Sequence, residues 1–248
     1  GFGSNRYLTG IGNIFLATGQ YGRLLVSRDK CQTWEEVIPD SPYYIHDYYD
    51  DGSVQIFSGD LLSVHSDFPD FLGQGMIITS SDGSGLKRYM LIPHDEDDVK
   101  LEGRIYSTAG NGQIYIAVGG EDYSRIWIDP GYEYRSVIYT SNDAYTWNVA
   151  EYSIPYMLKD IVYNPEIELF AAVGYGPDDG VILLSADGET WTTIYSLSDE
   201  ELLPKLYSIG WDPDIGFIAG GEGGVIFISA DGSNWSELEI GNGRIVTL

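Results

Sequence analysis

The apolar positions of this chain fall in short runs rich in β-branched and aromatic side chains, each cut off by a polar turn. The clearest is Val181-Ile182-Leu183-Leu184, followed by Ser185-Ala186-Asp187-Gly188-Glu189-Thr190-Trp191. A run of that length ending in Asp-Gly reads as a strand entering a hairpin, and the Trp opens the return strand. The pattern comes back as Val225-Ile226-Phe227-Ile228 before Ser229-Ala230-Asp231-Gly232-Ser233-Asn234-Trp235. Looser copies are Leu24-Leu25-Val26 before Ser27-Arg28-Asp29 and Trp34, Met76-Ile77-Ile78 before Ser80-Ser81-Asp82-Gly83, and Val137-Ile138-Tyr139 before Ser141-Asn142-Asp143 and Trp147. In these turns the Asp accepts bonds from turn N–H groups, and Gly or a short residue takes the left-handed position.

Upstream of every hairpin lies another strand ending in small residues: Phe15 to Gly19, Ile56 to Gly59, Tyr115 to Gly119, Phe170 to Gly174 and Phe217 to Gly221. Before three of these stand Ile105 to Thr108, Asp160 to Tyr163 and Leu206 to Ile209, joined by turns such as Gly110-Asn111-Gly112 and Asp212-Pro213-Asp214. The repeating unit is therefore four antiparallel strands. Self-similarity at about 40–50 residues is the mark of a propeller or solenoid. The pattern predicts one all-β domain over 1–248, a five-bladed β-propeller of four-stranded antiparallel blades with the Ser-x-Asp turns between strands 3 and 4. The blades fall near 7–38, 45–92, 102–152, 158–197 and 205–240. The tail 241–248 resembles the start of another repeat and is expected to close the ring by completing the first blade, a truncated larger ring being the alternative.

The recurring Ser-x-Asp-(x)-Gly-x-Thr-Trp resembles the Asp-box, or BNR repeat, of sialidase-like β-propellers. The resemblance implies structural turn roles for Ser27, Asp29, Trp34, Ser80, Asp82, Ser141, Asp143, Trp147, Ser185, Asp187, Trp191, Ser229, Asp231 and Trp235. The Gly-Asn-Gly turns beside aliphatic-aromatic strands also resemble propellers of phage virion proteins and bacterial surface proteins. Both resemblances imply a scaffold used by enzymes and binding proteins alike.

Charge narrows the partners. With 38 acidic residues against 13 Lys and Arg, the net charge is −25. That field repels nucleic acid and anionic membrane surfaces, and it suits a salt-rich, extracellular or virion setting where screening removes self-repulsion. No apolar run is long enough to enter a membrane as a helix. The single cysteine, Cys31, excludes an internal disulfide and stands where an Asp-box turn has Gly. The chain opens at Gly1 without Met or a signal-like segment, so it carries no targeting information to read.

Alternating strand direction puts the connections between strands 2 and 3, and those between blades, at one end of the propeller. Both long insertions fall there, spanning 60–75 and 120–135. They carry aromatics among carboxylates, which suits stacking on sugar rings and accepting hydroxyl protons. The candidate ligand-binding residues are Asp67, Phe68, Asp70, Phe71, Asp122, Tyr123, Trp127, Asp129, Tyr132 and Tyr134. The bland alternative is that these rings pack their own loops and the acids are solvated.

Catalysis is not expected. A sialidase needs an arginine cluster, a Tyr nucleophile and an acid pair, and Arg28 and Arg88 lie in or just after turns at the wrong end. Carboxylate pairs suited to another glycoside hydrolase arise by chance among so many acids, so that enzyme remains a second alternative. His46, His65 and His94 have neither triad nor zinc-ligand spacing with Cys31. No cofactor is expected; Asp95-Glu96-Asp97-Asp98 and Pro177-Asp178-Asp179-Gly180 could hold Ca²⁺, although solvated acidic loops are commoner. Gly220 to Gly224 lacks the following Lys and helix of a phosphate loop and reads as a hairpin turn. The expected function is non-catalytic recognition of a glycan or a surface or virion protein, with homo-oligomerisation in a larger assembly compatible. A purely structural virion component is the alternative.

Overall fold

The computed structural model describes residues 7–11, 14–18, 24–38, 43–61, 74–80, 87–90, 104–122, 134–150, 152–194, 196–198 and 201–239. Among these there is no α-helix, and five four-stranded antiparallel sheets follow one another along the chain. The first contains β1 (Tyr7–Ile11), β2 (Ile14–Thr18), β3 (Leu24–Ser27) and β4 (Glu35–Ile38). The second has β5 (Tyr43–Asp50), β6 (Gln55–Leu61), β7 (Gln74–Ser80) and β8 (Lys87–Met90). The third has β9 (Arg104–Gly110), β10 (Tyr115–Asp122), β11 (Tyr134–Ser141) and β12 (Asn148–Val149). The fourth has β13 (Met157–Asn164), β14 (Leu169–Tyr175), β15 (Gly180–Ser185) and β16 (Thr192–Ile194). A two-stranded hairpin that the sequence pattern did not suggest, β17 (Ser196–Ser198) with β18 (Glu201–Leu202), precedes the fifth sheet. That sheet has β19 (Leu206–Asp212), β20 (Gly216–Gly221), β21 (Val225–Ser229) and β22 (Ser236–Glu239). The tail 241–248 lies outside the described residues.

Neighbouring sheets stack face to face, and this explains why the runs are apolar throughout instead of alternating with polar residues. In β10, Tyr115 and Ala117 join Ile56 and Ile77 of the second sheet, whereas Ile116 and Val118 join Phe170, Ala172 and Leu183 of the fourth. In β14, Ala171 and Val173 turn the other way, onto Leu206, Phe217 and Phe227 of the fifth. Strand periodicity therefore splits each central strand between two cores, both dry. Ile116, Phe170, Leu183 and Phe217 are all fully buried. The first strands β5, β9, β13 and β19 lie side by side along the stack.

Each of those four strands carries a bulge at the same place. Pairing with the second strand of its sheet skips His46 in β5, Tyr106 in β9, Lys159 in β13 and Tyr207 in β19. The recurring glycine of the second strand makes room for it. A Cβ on Gly119 would sit 1.7 Å from the carbonyl oxygen of Arg104, and one on Gly174 would sit 2.1 Å from that of Met157. The small residues noted in the sequence thus serve close backbone approach within a sheet.

Candidate functional site

The Ser-x-Asp turns share one hydrogen-bond pattern. Asp187 Oδ1 accepts the backbone N–H groups of Glu189 and Thr190 and the Ser185 hydroxyl, and Ser185 Oγ accepts the N–H of Gly188. Asp231 does the same with Ser233, Asn234 and Ser229, and Asp143 with Tyr145, Thr146 and Ser141. These bonds hold the Asp143, Asp187 and Asp231 carboxyls below the usual range, because each stabilises the ionised form. The left-handed position is Gly188, Gly232 or Ala144. In the first turn Lys30 and Cys31 are both left-handed, and the Cys31 N–H donates to Ser27 Oγ as Gly188 does to Ser185. The thiol residue thus fills a turn position; it is exposed. Each Trp ties back to its own turn: Trp147 Nε1 donates to Ala144 O, Trp191 to Gly188 O and Trp235 to Gly232 O.

These turns also lean on the sheet before them. Thr79 Oγ1 of the second sheet donates to Ala144 O at 2.7 Å. A Cβ on Gly188 would press Ile116 of the third sheet at 2.9 Å, and one on Gly232 would press Leu169 of the fourth at 2.9 Å. Ser80 lies in the described residues but Asp82 does not; Trp34 is comparatively exposed at 39 %.

The opposite end is formed by the starts of the first strands and the ends of the second. Both long insertions leave from here. Asp60 lies near the end of the described part of one root; Gly120, at the other root, pairs with Arg104, and Arg104 Nε lies 3.5 Å from Asp60 Oδ2. Of the candidate ligand residues only Asp122 and Tyr134 are described, facing one another in the β10–β11 pair. Asp67, Phe68, Asp70, Phe71, Tyr123, Trp127, Asp129 and Tyr132 lie outside the described residues, as does Asp95 to Asp98.

What the sequence reading missed is a row of side chains at this end. The bulge re-aims His46, Tyr106, Lys159 and Tyr207, one from each of four consecutive sheets. His46 Nε2 is 2.6 Å from Asp60 Oδ1 and its ring lies 5.2 Å from that of Tyr106. Lys159 Nζ sits 3.0 Å from the centroid of the Tyr106 ring. Further round, Tyr175 meets Tyr134 edge-on at 5.9 Å and Tyr207 at 5.3 Å, with Lys205 above it. Tyr106, Tyr134, Tyr175 and Tyr207 are all half-buried. The surface so made offers ring faces and phenol hydroxyls beside cations. Each of the four bulged residues stands just ahead of Asp47, Ser107, Asp160 or Ser208, and nothing in the apolar runs sets it apart.

Those following residues bind the sheets together. Asp47 Oδ2 accepts the Ser107 hydroxyl and the Thr108 N–H across the second and third sheets, at 2.8 and 3.0 Å. Asp160 Oδ2 accepts the Ser208 hydroxyl and the Ile209 N–H across the fourth and fifth, at 3.0 and 2.9 Å. Between them, Ser107 Oγ accepts the Ile161 N–H at 3.4 Å.

Among the described residues no three His, Cys, Asp or Glu side chains are grouped to hold an ion. In the loop 177–180, Pro177 O accepts Lys205 Nζ and Asp179 Oδ2 accepts the Tyr156 hydroxyl. Glu222–Gly224 forms a short turn with Gly223 and Gly224 left-handed, joining β20 to β21. Arg28 lies in the first Ser-x-Asp turn, and Arg88 pairs with Ile78 in the second sheet.

No protein-family model matches the chain, and no curated protein is significantly similar to it in sequence. Solved structures are. YCF48 bound to D1 peptide is 18 % identical at a TM-score of 0.57, over 96 % of this chain and 68 % of that one. A phage phi92 endosialidase is 10 % identical at 0.59, over 98 % and 58 %. The Trypanosoma rangeli sialidase in complex with the inhibitor DANA is 10 % identical at 0.56, over 97 % and 50 %. This chain thus spans about half to two thirds of the length of the proteins it matches. At such identities the likeness is one of architecture: the chain is an all-β array of four-stranded antiparallel sheets built like the sialidase-like β-propellers.

Proposed function

We propose that this chain is a non-catalytic recognition propeller that engages a glycan or a surface or virion protein through the end from which its long insertions leave. The observation that carries the reading is the two clusters there, His46 with Tyr106 and Lys159, and Tyr134 with Tyr175, Tyr207 and Lys205, contributed by successive sheets. Aromatic faces stack on sugar rings and on peptide side chains, while the acidic turns at the far end are occupied with their own backbone bonds. The neighbours agree with either ligand class, since one is bound to a peptide and others are an endosialidase and a sialidase. In this reading the repeated turns are Asp-boxes with a structural role, the five sheets are blades, and the tail 241–248 closes the ring. An extracellular or virion location belongs to this reading, and the net charge of −25 is compatible with it.

A glycan array at moderate salt, paired with a pull-down from a host cell surface, tests it. Saturable binding that falls at least several-fold in Tyr207→Ala, Tyr175→Ala or Trp127→Ala supports recognition. An array and a surface assay both without saturable binding would leave the structural-component reading standing instead. Product release from a polysaccharide would replace both with the hydrolase.

A further inference from the structure

We infer that Asp47 and Asp160 form a proton-operated coupling between the sheets: the inner strands hold together more tightly when this pair carries a proton than when both carboxylates are charged. The geometry is a single hydrogen-bonded line through four sheets. Each carboxylate stands one residue after a bulge, and each uses one oxygen, Oδ2, to accept both a serine hydroxyl and a backbone N–H from the next sheet. Ser107 lies between them, donating to Asp47 and accepting from Ile161, whose N–H also reaches Asp160 Oδ1. Ser107 and Ser208 are buried, and the two acids beside them are half-buried. Two like charges are thus held near each other in a place poorly served by water.

Because Oδ2 makes both inter-sheet bonds, a proton on Oδ1 of Asp47 removes charge and leaves those bonds in place, whereas Oδ1 of Asp160 already accepts the Ile161 N–H, so the proton of the pair belongs on Asp47. The charged groups on the packed elements have other partners. From β5 and β6, His46 is bonded to Asp60; from β9, Arg104 also lies against Asp60; from β13, Lys159 sits over the Tyr106 ring; β19 contributes Tyr207 and Ser208. Enclosure, and then the charge of Asp160, push the Asp47 carboxyl up to about 6, and enclosure pushes Asp160 up as well. A folded-state value above the unfolded one means that the stabilisation is full below the ordinary aspartate value and is lost as pH rises through about 6. As coupled acids, the two titrate as a pair.

The test is the melting temperature at pH 5 and pH 8, at constant salt, for the wild type, Asp47→Asn, Asp160→Asn and the double variant. Asn keeps an acceptor oxygen where Oδ2 stands and cannot ionise. The wild type should lose several degrees between pH 5 and 8; each Asn variant should lose less, and Asp47→Asn should melt above the wild type at pH 8, whereas Asp160→Asn sets its amide against the Ile161 N–H and is read from its slope alone. Asp47→Ala, which removes the acceptor for Ser107 and Thr108, should melt lower at both pH values. If an Asn variant does not fold, the side-chain carboxyl ¹³C titration of the wild type decides. Two aspartates with midpoints above the ordinary range support the coupling. Equal pH slopes in all variants, or no aspartate titrating above pH 5, overturn it.

Discussion

Asp187 shows what one side chain contributes in this fold. It is solvent-exposed, yet it accepts two backbone N–H groups and a hydroxyl within its own turn. Removing it leaves donors that water can still reach, so the cost is that of a lost cap. Asp187→Ala should destabilise by about 1–2 kcal/mol, read from the urea midpoint at unchanged slope. Asp29 and Asp231 are held down to about 2 by the same kind of bonding. Their folded values lie below the unfolded one, so their contribution is present above pH 4 and is lost as pH falls toward 2. Acid unfolding should therefore begin below pH 4, and Asp231→Asn should blunt that limb, as followed by tryptophan fluorescence. These turns were legible in the sequence because their chemistry is local: a Ser, an Asp and a left-handed residue within four positions. Asp47 and Asp160 were not, because their partners lie in other sheets, and nothing in the local pattern separates an acid that staples two sheets from an acid in solvent.

At the level of strands, Gly119, Gly174 and Gly221, which face the bulges in the third, fourth and fifth sheets, are an obligation of geometry. Gly174→Ala would drive a Cβ into the Met157 carbonyl at 2.1 Å, against backbone that is itself pinned by the bulge. The expected cost is about 1–3 kcal/mol or more. Amide exchange should quicken along β13 and β14 first, whereas Val149→Ala, on an exposed edge, should leave exchange there unchanged. The order of the four strands in each sheet followed from the apolar runs, since a period of two with both faces buried can only be met between two neighbours; the β17–β18 hairpin did not. The bulges did not follow. A one-residue slip in pairing is invisible in a run such as Leu158-Lys159-Asp160-Ile161, where polar residues simply interrupt the apolar pattern. Tyr106 and Tyr207 share that fate, for they are the residues the bulge skips.

For the whole molecule, net charge sets the tone. A surplus of 25 negative charges on one chain works against compaction, and monovalent salt relieves it within a Debye length of about 8–10 Å. The melting temperature should climb as sodium chloride is raised from about 20 to about 200 mM; a flat or falling curve would mean that the acids are already balanced locally. Architecture was readable from the repeat, and the location of both insertion roots at one end was readable from alternating strand direction. The ligand was not, because the repeat specifies scaffold and leaves the insertions to vary.

The way each polar turn rests on the sheet before it gives the stack a direction. Thr79 waits for Ala144, Ile116 for Gly188, and Leu169 for Gly232. During synthesis a sheet would stay unbuttressed until its successor had left the ribosome. A pull on the C-terminal end would strip supports in reverse, each rupture undermining the sheet behind it, so that the chain should give way one sheet at a time from the last toward the first.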